Sequence, residues 1–318
     1  MALTYTLHEA ANNYGLNSMP ISPSLRSSSE AIIGELLDPI ESVNGSTYHV
    51  SIPTTNGFTT QVVVIQTSDT TGELVYVDLR KGIDASELMF TAVGNVSFSL
   101  DNIGEIFDES FIYSEDDVIN GNSFDNALKG FGGNDRIDGG AGIDTAYFTG
   151  SKSQYQINQS GIEKTTRGLD GFDTLLNIER LRFDDRSVAY DIDGNAGKAY
   201  RIYQAAFDRK PDLEGLGFWI NALDTGNSMP SVSSGFIGST EFQKLYGANS
   251  SNFDFLTRLY QNVLHRTPDQ DGFNWWLANL NSGAASKVQT LIDFSESSEN
   301  QLQVIGSIQN GIEYLAYA

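Results

Sequence analysis

The chain has no cysteine, so disulfides, thiolate metal sites and thiol nucleophiles are excluded, and stability has to come from packing and from bound partners. Histidine is nearly as scarce, with His8, His49 and His265 the full complement. The sequence contains no H-E-x-x-H, no G-x-S-x-G and no phosphate loop, which removes the motif evidence for zinc proteases, elbow-type esterases and nucleotide hydrolases. His49 falls in an alternating stretch and reads as a structural or surface histidine. Carboxylate pairs such as Asp184-Asp185 follow from acidic abundance alone. No catalytic residue is assigned. Basic side chains number 19 against 41 acidic ones, for a formal net charge of −22, so nucleic acid is excluded as an expected partner. No run approaches the roughly 18 apolar residues of a transmembrane helix. The opening residues, Met1-Ala2-Leu3-Thr4-Tyr5-Thr6-Leu7-His8-Glu9, show neither the basic nor the apolar region of a secretory signal peptide.

Acid, glycine and periodicity are present instead. With 318 residues, 40% of them hydrophobic, the chain has material for two or three domains with real cores. The acidic excess is concentrated, with eleven acidic against two basic side chains in residues 101–150. Within that stretch Asp117, Asn126, Asp135 and Asp144 stand nine apart, and two positions after each comes an apolar residue, Ile119, Leu128, Ile137 and Ala146. Gly139-Gly140-Ala141-Gly142-Ile143-Asp144-Thr145-Ala146-Tyr147 fits G-G-x-G-x-D-x-U-x, U being apolar, at every position. The units weaken outward. Gly130-Phe131-Gly132-Gly133-Asn134-Asp135 has one glycine displaced, Gly121-Asn122-Ser123-Phe124-Asp125-Asn126 offers an amide for a carboxylate, and the Asp117 unit has lost its glycines.

This spacing suits calcium. Glycine permits turns with φ > 0, and calcium accepts six to eight oxygen ligands in a forgiving shell that turn carbonyls and stacked aspartates can fill. The expected ligand set is Asp117, Gly121, Asn122, Asn126, Gly130, Gly132, Gly133, Asp135, Gly139, Gly140, Gly142 and Asp144, with Ca²⁺ as the cofactor. If successive units alternate between two sides of a flattened coil, Asp117 faces Asp135 and Asn126 faces Asp144, which gives one or two ions. A further echo, Gly168-Leu169-Asp170-Gly171-Phe172-Asp173-Thr174-Leu175, is out of phase and reads as a cap on the stack. Clustered carboxylates repel until a cation neutralises them, so folding is expected to depend on calcium. Extracellular calcium modules bind at about 10⁻⁴ to 10⁻³ M, and a site filled at about ten times its dissociation constant adds roughly 1.4 kcal/mol.

On these residues the segment from about 112 to 190 resembles the RTX (repeats-in-toxin, hemolysin-type) calcium-binding β-roll family. Its tail, Gly171 to Asp185, is similar to the segment that closes such rolls. The resemblance implies a bacterial protein exported unfolded by type I secretion machinery through an uncleaved C-terminal signal, and an extracellular or cell-surface location.

From about Lys198 the pattern becomes helical and repeats at an offset of 57 residues. Arg201 to Trp219 aligns without gaps to Arg258 to Trp276, with Arg, Tyr, Gln, Arg, Pro, Asp, Gly and Trp recurring. Phe236 to Phe242 echoes Phe294 to Asn300 with one residue inserted. Each copy reads as a helix ending near Arg209 or Arg266, a Pro-Asp stop and restart, a second helix burying Trp219 or Trp276, and a third over Val232 to Tyr246 or Ala284 to Phe294. This region, about 193–300, resembles domain of unknown function family 4214, which implies no activity. Asp208-Arg209, Pro211-Asp212 and Gly215 read as helix-turn chemistry, with a groove for sugars or carboxylates as the alternative. Asp191-Ile192-Asp193-Gly194-Asn195 hints at an EF-hand loop but lacks its glycine, Ala196 standing there, and its glutamate.

Residues 1–110 read as a small antiparallel β-rich module with a short helix over 29–37. Its strands are expected over Tyr48 to Ile52, Phe58 to Gln66, Leu74 to Leu79, Leu88 to Val93 and Val96 to Leu100. The expectation is a multidomain α+β protein: the N-terminal β-rich module in 1–110, a short parallel calcium-binding β-roll with its cap in 111–192, and an all-α duplicated helical domain in 193–318. The expected function is a secreted, non-enzymatic calcium-binding surface, matrix, adhesion or biofilm protein that self-assembles or meets cell-surface polysaccharide. The alternatives are a secreted hydrolase or toxin with its site in the N-terminal module, and a carbohydrate-binding module around Trp219 and Trp276.

Overall fold

A computed structural model describes residues 116–121 and 123–317 with their side chains, and six strands within residues 3–99 by their backbone. The chain divides into two compact units, Met1–Asp185 and Arg186–Ala318.

In the first unit, β1 (Leu3–Leu7), β2 (Asp38–Ile40), β3 (Thr47–Pro53), β4 (Phe58–Gln66), β5 (Thr71–Lys81) and β6 (Glu87–Ser99) pair antiparallel in the order β2-β3-β4-β5-β6-β1. The two strands expected over 88–93 and 96–100 are one. The strand runs on through Gly94-Asn95, where a register shift against β5, between Leu74 and Tyr76, takes up the irregularity as a bulge. The helix expected over 29–37, and His8, lie outside the described residues.

The nonapeptides then form very short strands: β7 (Val118–Asn120), β8 (Ala127–Leu128), β9 (Arg136–Asp138) and β10 (Thr145–Tyr147). They do not pair with their neighbours in sequence. β7 pairs parallel with β9, aligning Ile119 with Ile137, and β8 pairs parallel with β10, aligning Leu128 with Ala146. Alternate units therefore feed alternate sheets. A hairpin, β11 (Gln156–Ser160) and β12 (Glu163–Gly168), leads antiparallel into β13 (Gly171–Leu176), which adds parallel to β9 and sets Leu175 beside Ile137. β14 (Arg180–Arg182) adds parallel to β10 and sets Leu181 beside Ala146. Ile119, Leu128, Ile137, Ala146, Leu175 and Leu181 are all buried, so the single apolar side chain of each unit builds the interior. Phe148, Tyr155 and Phe183 form a buried aromatic cluster, Phe148 stacking on Phe183 at 5.3 Å and 22° with Tyr155 edge-on to Phe148 and tilted against Phe183.

The second unit holds a small antiparallel ribbon, β15 (Ser187–Ala189) with β16 (Ile312–Tyr314). Its eight helices among the described residues are α1 (Asn195–Phe207), α2 (Leu213–Asp224), α3 (Met229–Gly238), α4 (Thr240–Tyr246), α5 (Asn252–Asn262), α6 (Gln270–Ser282), α7 (Lys287–Ser295) and α8 (Ser298–Ile308). Each copy of the duplication thus has four helices rather than three. The helix expected over Val232 to Tyr246 breaks at Ser239, which leaves helical geometry to cap α4 by accepting the Phe242 N–H. Ser297 does the same for α8 through Asn300, and Ser286 starts α7 later than Ala284.

Four of the residues that recur in the duplication, a Tyr, an Arg, an Asp and a Gly, are explained by one turn made twice. Arg209 grips Glu241 at 2.7 and 3.0 Å and lies 5.1 Å over the Tyr203 ring. Arg266 grips Glu299 at 2.7 and 3.1 Å and lies 5.1 Å over Tyr260. Asp212 and Asp269 cap α2 and α6 through the Gly215 and Gly272 N–H groups, both at 2.7 Å. Tyr203 also donates to Asp212, and that bond, with the Gly215 N–H, holds the Asp212 carboxyl below its ordinary value. These guanidinium groups hold the helix turns together. The Asp191 loop likewise serves helix initiation, its carboxylate accepting the Ala196 N–H at 3.0 Å at the start of α1.

Candidate metal centre

Each strand of the stacked segment is preceded by the residue that the nine-residue period singles out. Asp117, Asn126, Asp135 and Asp144 are all nearly or fully buried, at 1%, 3%, 2% and 0% exposure. Burial of carboxylates on this scale demands compensation. The backbone supplies part of it in two columns. The Asp117 N–H donates to Asp135 Oδ1 at 2.8 Å, and the Asn126 N–H donates to Asp144 Oδ1 at 2.7 Å. Each carbonyl of the pair's first member is used as well, Asp117 O by the Arg136 N–H and Asn126 O by the Thr145 N–H, both at 2.8 Å.

The columns continue past the four repeats. Asp135 N–H donates to Asp173 Oδ1 at 3.0 Å and Asp144 N–H to Glu179 Oε2 at 2.9 Å. Asp173 is therefore not part of a separate cap; it is the third rung of one column, and Glu179 is the third rung of the other. The period missed them because the β11–β12 hairpin is inserted before β13. The signal that survives is local, since Asp173 and Glu179 are each followed two residues later by the buried Leu175 and Leu181.

The glycines make room. A Cβ on Gly130 would lie 2.0 Å from Asp135 Oδ2, one on Gly139 would lie 2.5 Å from Asp144 Oδ2, and one on Gly121 would lie 2.3 Å from Asn126 Oδ1. In these three units the first glycine thus forms the wall against which the unit's own acid or amide rests. Gly133, Gly140 and Gly142 adopt φ of 123°, 90° and 129°, a region closed to most side chains. Gly132 sits half-buried in the same turn as Gly133, and Asn122 lies outside the described residues.

Electrostatically the columns are short of positive charge. Burial pushes Asp135 up to about 8 against the opposing Asp117 N–H, with Asp173, Asp117 and Asp116 adding to the rise. Burial pushes Asp144 up to about 7 against the Asn126 N–H, with Glu179, Asp125 and Asp138 adding. Asp173 rises to about 6, again chiefly by burial and against hydrogen bonds from the Asp135 N–H and Thr166. Asp144 Oδ2 is buried with no hydrogen-bond partner among the described residues. At the third rung the charge is different: Lys164 is buried there, its pKa lowered by burial and partly restored by Glu179.

The donor set fits a hard cation. Every candidate group is a carboxylate, amide or backbone oxygen, the ligand type of calcium and not of zinc or copper. Among the described residues no three Asp, Glu, His or Cys side chains form a cage by themselves, so a shell here has to draw on turn carbonyls.

Two family models match the chain. Residues 113–146 match the RTX calcium-binding nonapeptide repeat (4 copies), and residues 233–304 match a domain of unknown function (DUF4214). The first match covers the four units from Asp117 to Ala146, and the second runs from within α3 into α8. No curated protein matches the chain. The RTX nonapeptide is a calcium-binding repeat typical of secreted proteins, and among the described residues no helix is long and apolar enough to cross a membrane.

Proposed function

We propose that this is a secreted calcium-binding protein of the cell surface or extracellular matrix, in which residues 111–192 form a short β-roll that folds when calcium is present and the flanking modules make contacts. The observation that carries the reading is the pair of eighteen-residue columns, in which Asp144 buries an oxygen that no hydrogen bond satisfies among the described residues. Asp117, Asn126, Asp135 and Asp144 would hold the ion, with carbonyls from Gly121 and from the turns at Gly130–Gly133 and Gly139–Gly142. Bound calcium would supply the countercharge that lets these carboxylates be buried while ionised. The chain's own residues do the rest: the glycines leave space, the column N–H groups fix one oxygen each of Asp135 and Asp144, and Ile119, Leu128, Ile137 and Ala146 zip the interior. Lys164 places a buried amine beside Glu179, which lessens the demand for a cation at that rung.

The test is a calcium titration of chelated full-length protein, followed together by circular dichroism and sedimentation. A rise in β signal near millimolar calcium is expected. A signal indifferent to calcium would remove the reading.

A second reading, recognition of polysaccharide by the helical unit, has one observation in its favour. Phe218 and Trp275 are equivalent in the duplication, are 42% and 59% exposed, and stand edge-on to Trp219 and Trp276 at 4.9 Å in both copies. Trp219 and Trp276 themselves are half-buried against Phe236 and Phe294. All three tryptophans lie in this unit, so their fluorescence reports it directly. Quenching by a neutral glucan that Trp275→Ala abolishes would support this reading, and an unchanged spectrum would end it.

A further inference from the structure

The hairpin that interrupts the acidic columns ends the larger sheet. Strand β11 is the last in its order, paired with β12 on one side and with no strand on the other among the described residues. An edge of this kind presents N–H and C=O groups ready to pair with another strand, and soluble proteins commonly blunt it with lysine, proline, a bulge or inward charge. β11 has none of these. Its sequence, Gln156-Ile157-Asn158-Gln159-Ser160, is uncharged and free of proline, its register against β12 is unbroken, and four of its five residues are exposed.

The register fixes which groups face outward. Gly161, at φ 63°, and Ile162 make a two-residue turn, and Ser160 pairs with Glu163. In such hairpins the pair flanking the turn exchanges both backbone bonds, and hydrogen-bonded and open pairs then alternate. Ser160, Asn158 and Gln156 therefore bond to β12, and Ile157 and Gln159 direct their N–H and C=O groups to the free edge.

We propose that β11 pairs antiparallel with β11 of a second copy of this chain, about a two-fold axis through Asn158. The inference rests on the calcium reading above in one respect only, that the hairpin is carried by β13, which the Asp135 to Asp173 rung anchors. The strand is self-complementary about that axis. Ile157 of one copy meets Gln159 of the other on the outward-facing positions, Gln156 meets Ser160, and Asn158 meets Asn158. Two copies of a chain with net charge −22 repel, but the hairpin is spared the acidic excess: over Ser151–Gly168 the side chains that reach the surface include Lys152 and Arg167 against Glu163 alone. An isologous contact of this kind closes at two chains.

The experiment uses the full chain in millimolar calcium, with sedimentation velocity for mass and circular dichroism for folding. Wild type is expected to form a dimer. Asn158→Lys places like charges opposite each other across the axis, and Gln159→Pro removes an edge N–H that the hairpin does not use. Each is expected to weaken dimerisation at least tenfold while the calcium-induced dichroism persists. Mixing Asn158→Lys with Asn158→Asp chains is expected to restore a mixed dimer, which a folding defect would not do. Dimers of Asn158→Lys as tight as wild type would overturn the proposal, as would a wild-type chain that folds in calcium and stays monomeric, an outcome that leaves the calcium reading standing. Edge-dependent dimers in a chain indifferent to calcium would do the reverse.

Discussion

The backbone N–H of Asn126 donates to Asp144 Oδ1 at 2.7 Å across eighteen residues, while the other oxygen of the same carboxylate is buried with no hydrogen-bond partner among the described residues. Removing this acid removes both the column bond and the candidate ligand. Asp144→Ala is expected to raise the calcium midpoint of folding about tenfold or more, equivalent to about 1.4 kcal/mol. Asn126→Ala keeps its backbone N–H and should shift the midpoint less. Equal shifts in a dichroism titration would contradict the assigned register.

Glycine at the head of a unit is a spatial requirement. A Cβ at Gly139 would stand 2.3 Å from the Asn177 carbonyl and 2.5 Å from Asp144 Oδ2, whereas one at Gly306 in α8 would meet nothing within 4 Å. Gly139→Ala should abolish the calcium response while helical dichroism persists. Gly306→Ala should leave the calcium response alone and stabilise the helical unit by roughly 0.5–1 kcal/mol through helix propensity. Thermal melts of both variants, with and without calcium, separate the two effects.

Phe131 occupies the turn position that Gly140 holds in the cleanest unit, and it does so at φ 69°. The left-handed region costs a non-glycine residue about 1–2 kcal/mol. Part of this is offset by Lys129, whose ammonium lies 4.6 Å from the ring centroid. Phe131→Gly is therefore expected to lower the calcium midpoint by the equivalent of about 0.5–1 kcal/mol. A raised midpoint would show that the ring contributes more than the strain costs.

Acidity should substitute for calcium in part. Asp135, Asp144 and Asp173 rise from 3.8 to about 8, 7 and 6 in the folded chain. Because the folded values lie above the unfolded one, the protonated acids stabilise the fold fully below about pH 4, and that stability is lost as pH climbs through about 6 to 8. In chelator the β signal of the roll should therefore be stronger at about pH 5 than at about pH 8. Calcium binding to the folded roll then displaces these protons, so a titration in weak buffer should release more acid at about pH 6 than at about pH 8. A chelated chain more ordered at the higher pH would contradict these assignments.

The four nonapeptides were legible because two constraints, an acid for the turn and an apolar residue for the interior, share one period. Ile119, Leu128, Ile137 and Ala146 are buried where that period puts them. The third rungs were hidden because the hairpin separates Asp173 from Asp135, and Glu179 from Asp144, by distances that are not multiples of nine; only the local acid-x-apolar pattern marked them. In the helical unit, propensity suggested one helix where Ser239 makes two, since a serine hydroxyl within a helical run reads as tolerated until its own capping bond is seen. The doubled Arg-Pro-Asp turns were visible as repetition, but Glu241 and Glu299, which answer the arginines from the next helix pair, required the fold.

The inserted hairpin also sets an order of events. Closing Asp117 on Asp135 or Asn126 on Asp144 spans 18 residues, whereas closing Asp135 on Asp173 spans 38. By loop-closure entropy the longer span costs about 0.7 kcal/mol more, and it adds a strand to a stack that must already exist. Asp173 is thus the clasp of the segment, fastening last and opening first, so proteolysis and hydrogen exchange in limiting calcium should enter at β13 before they reach β9.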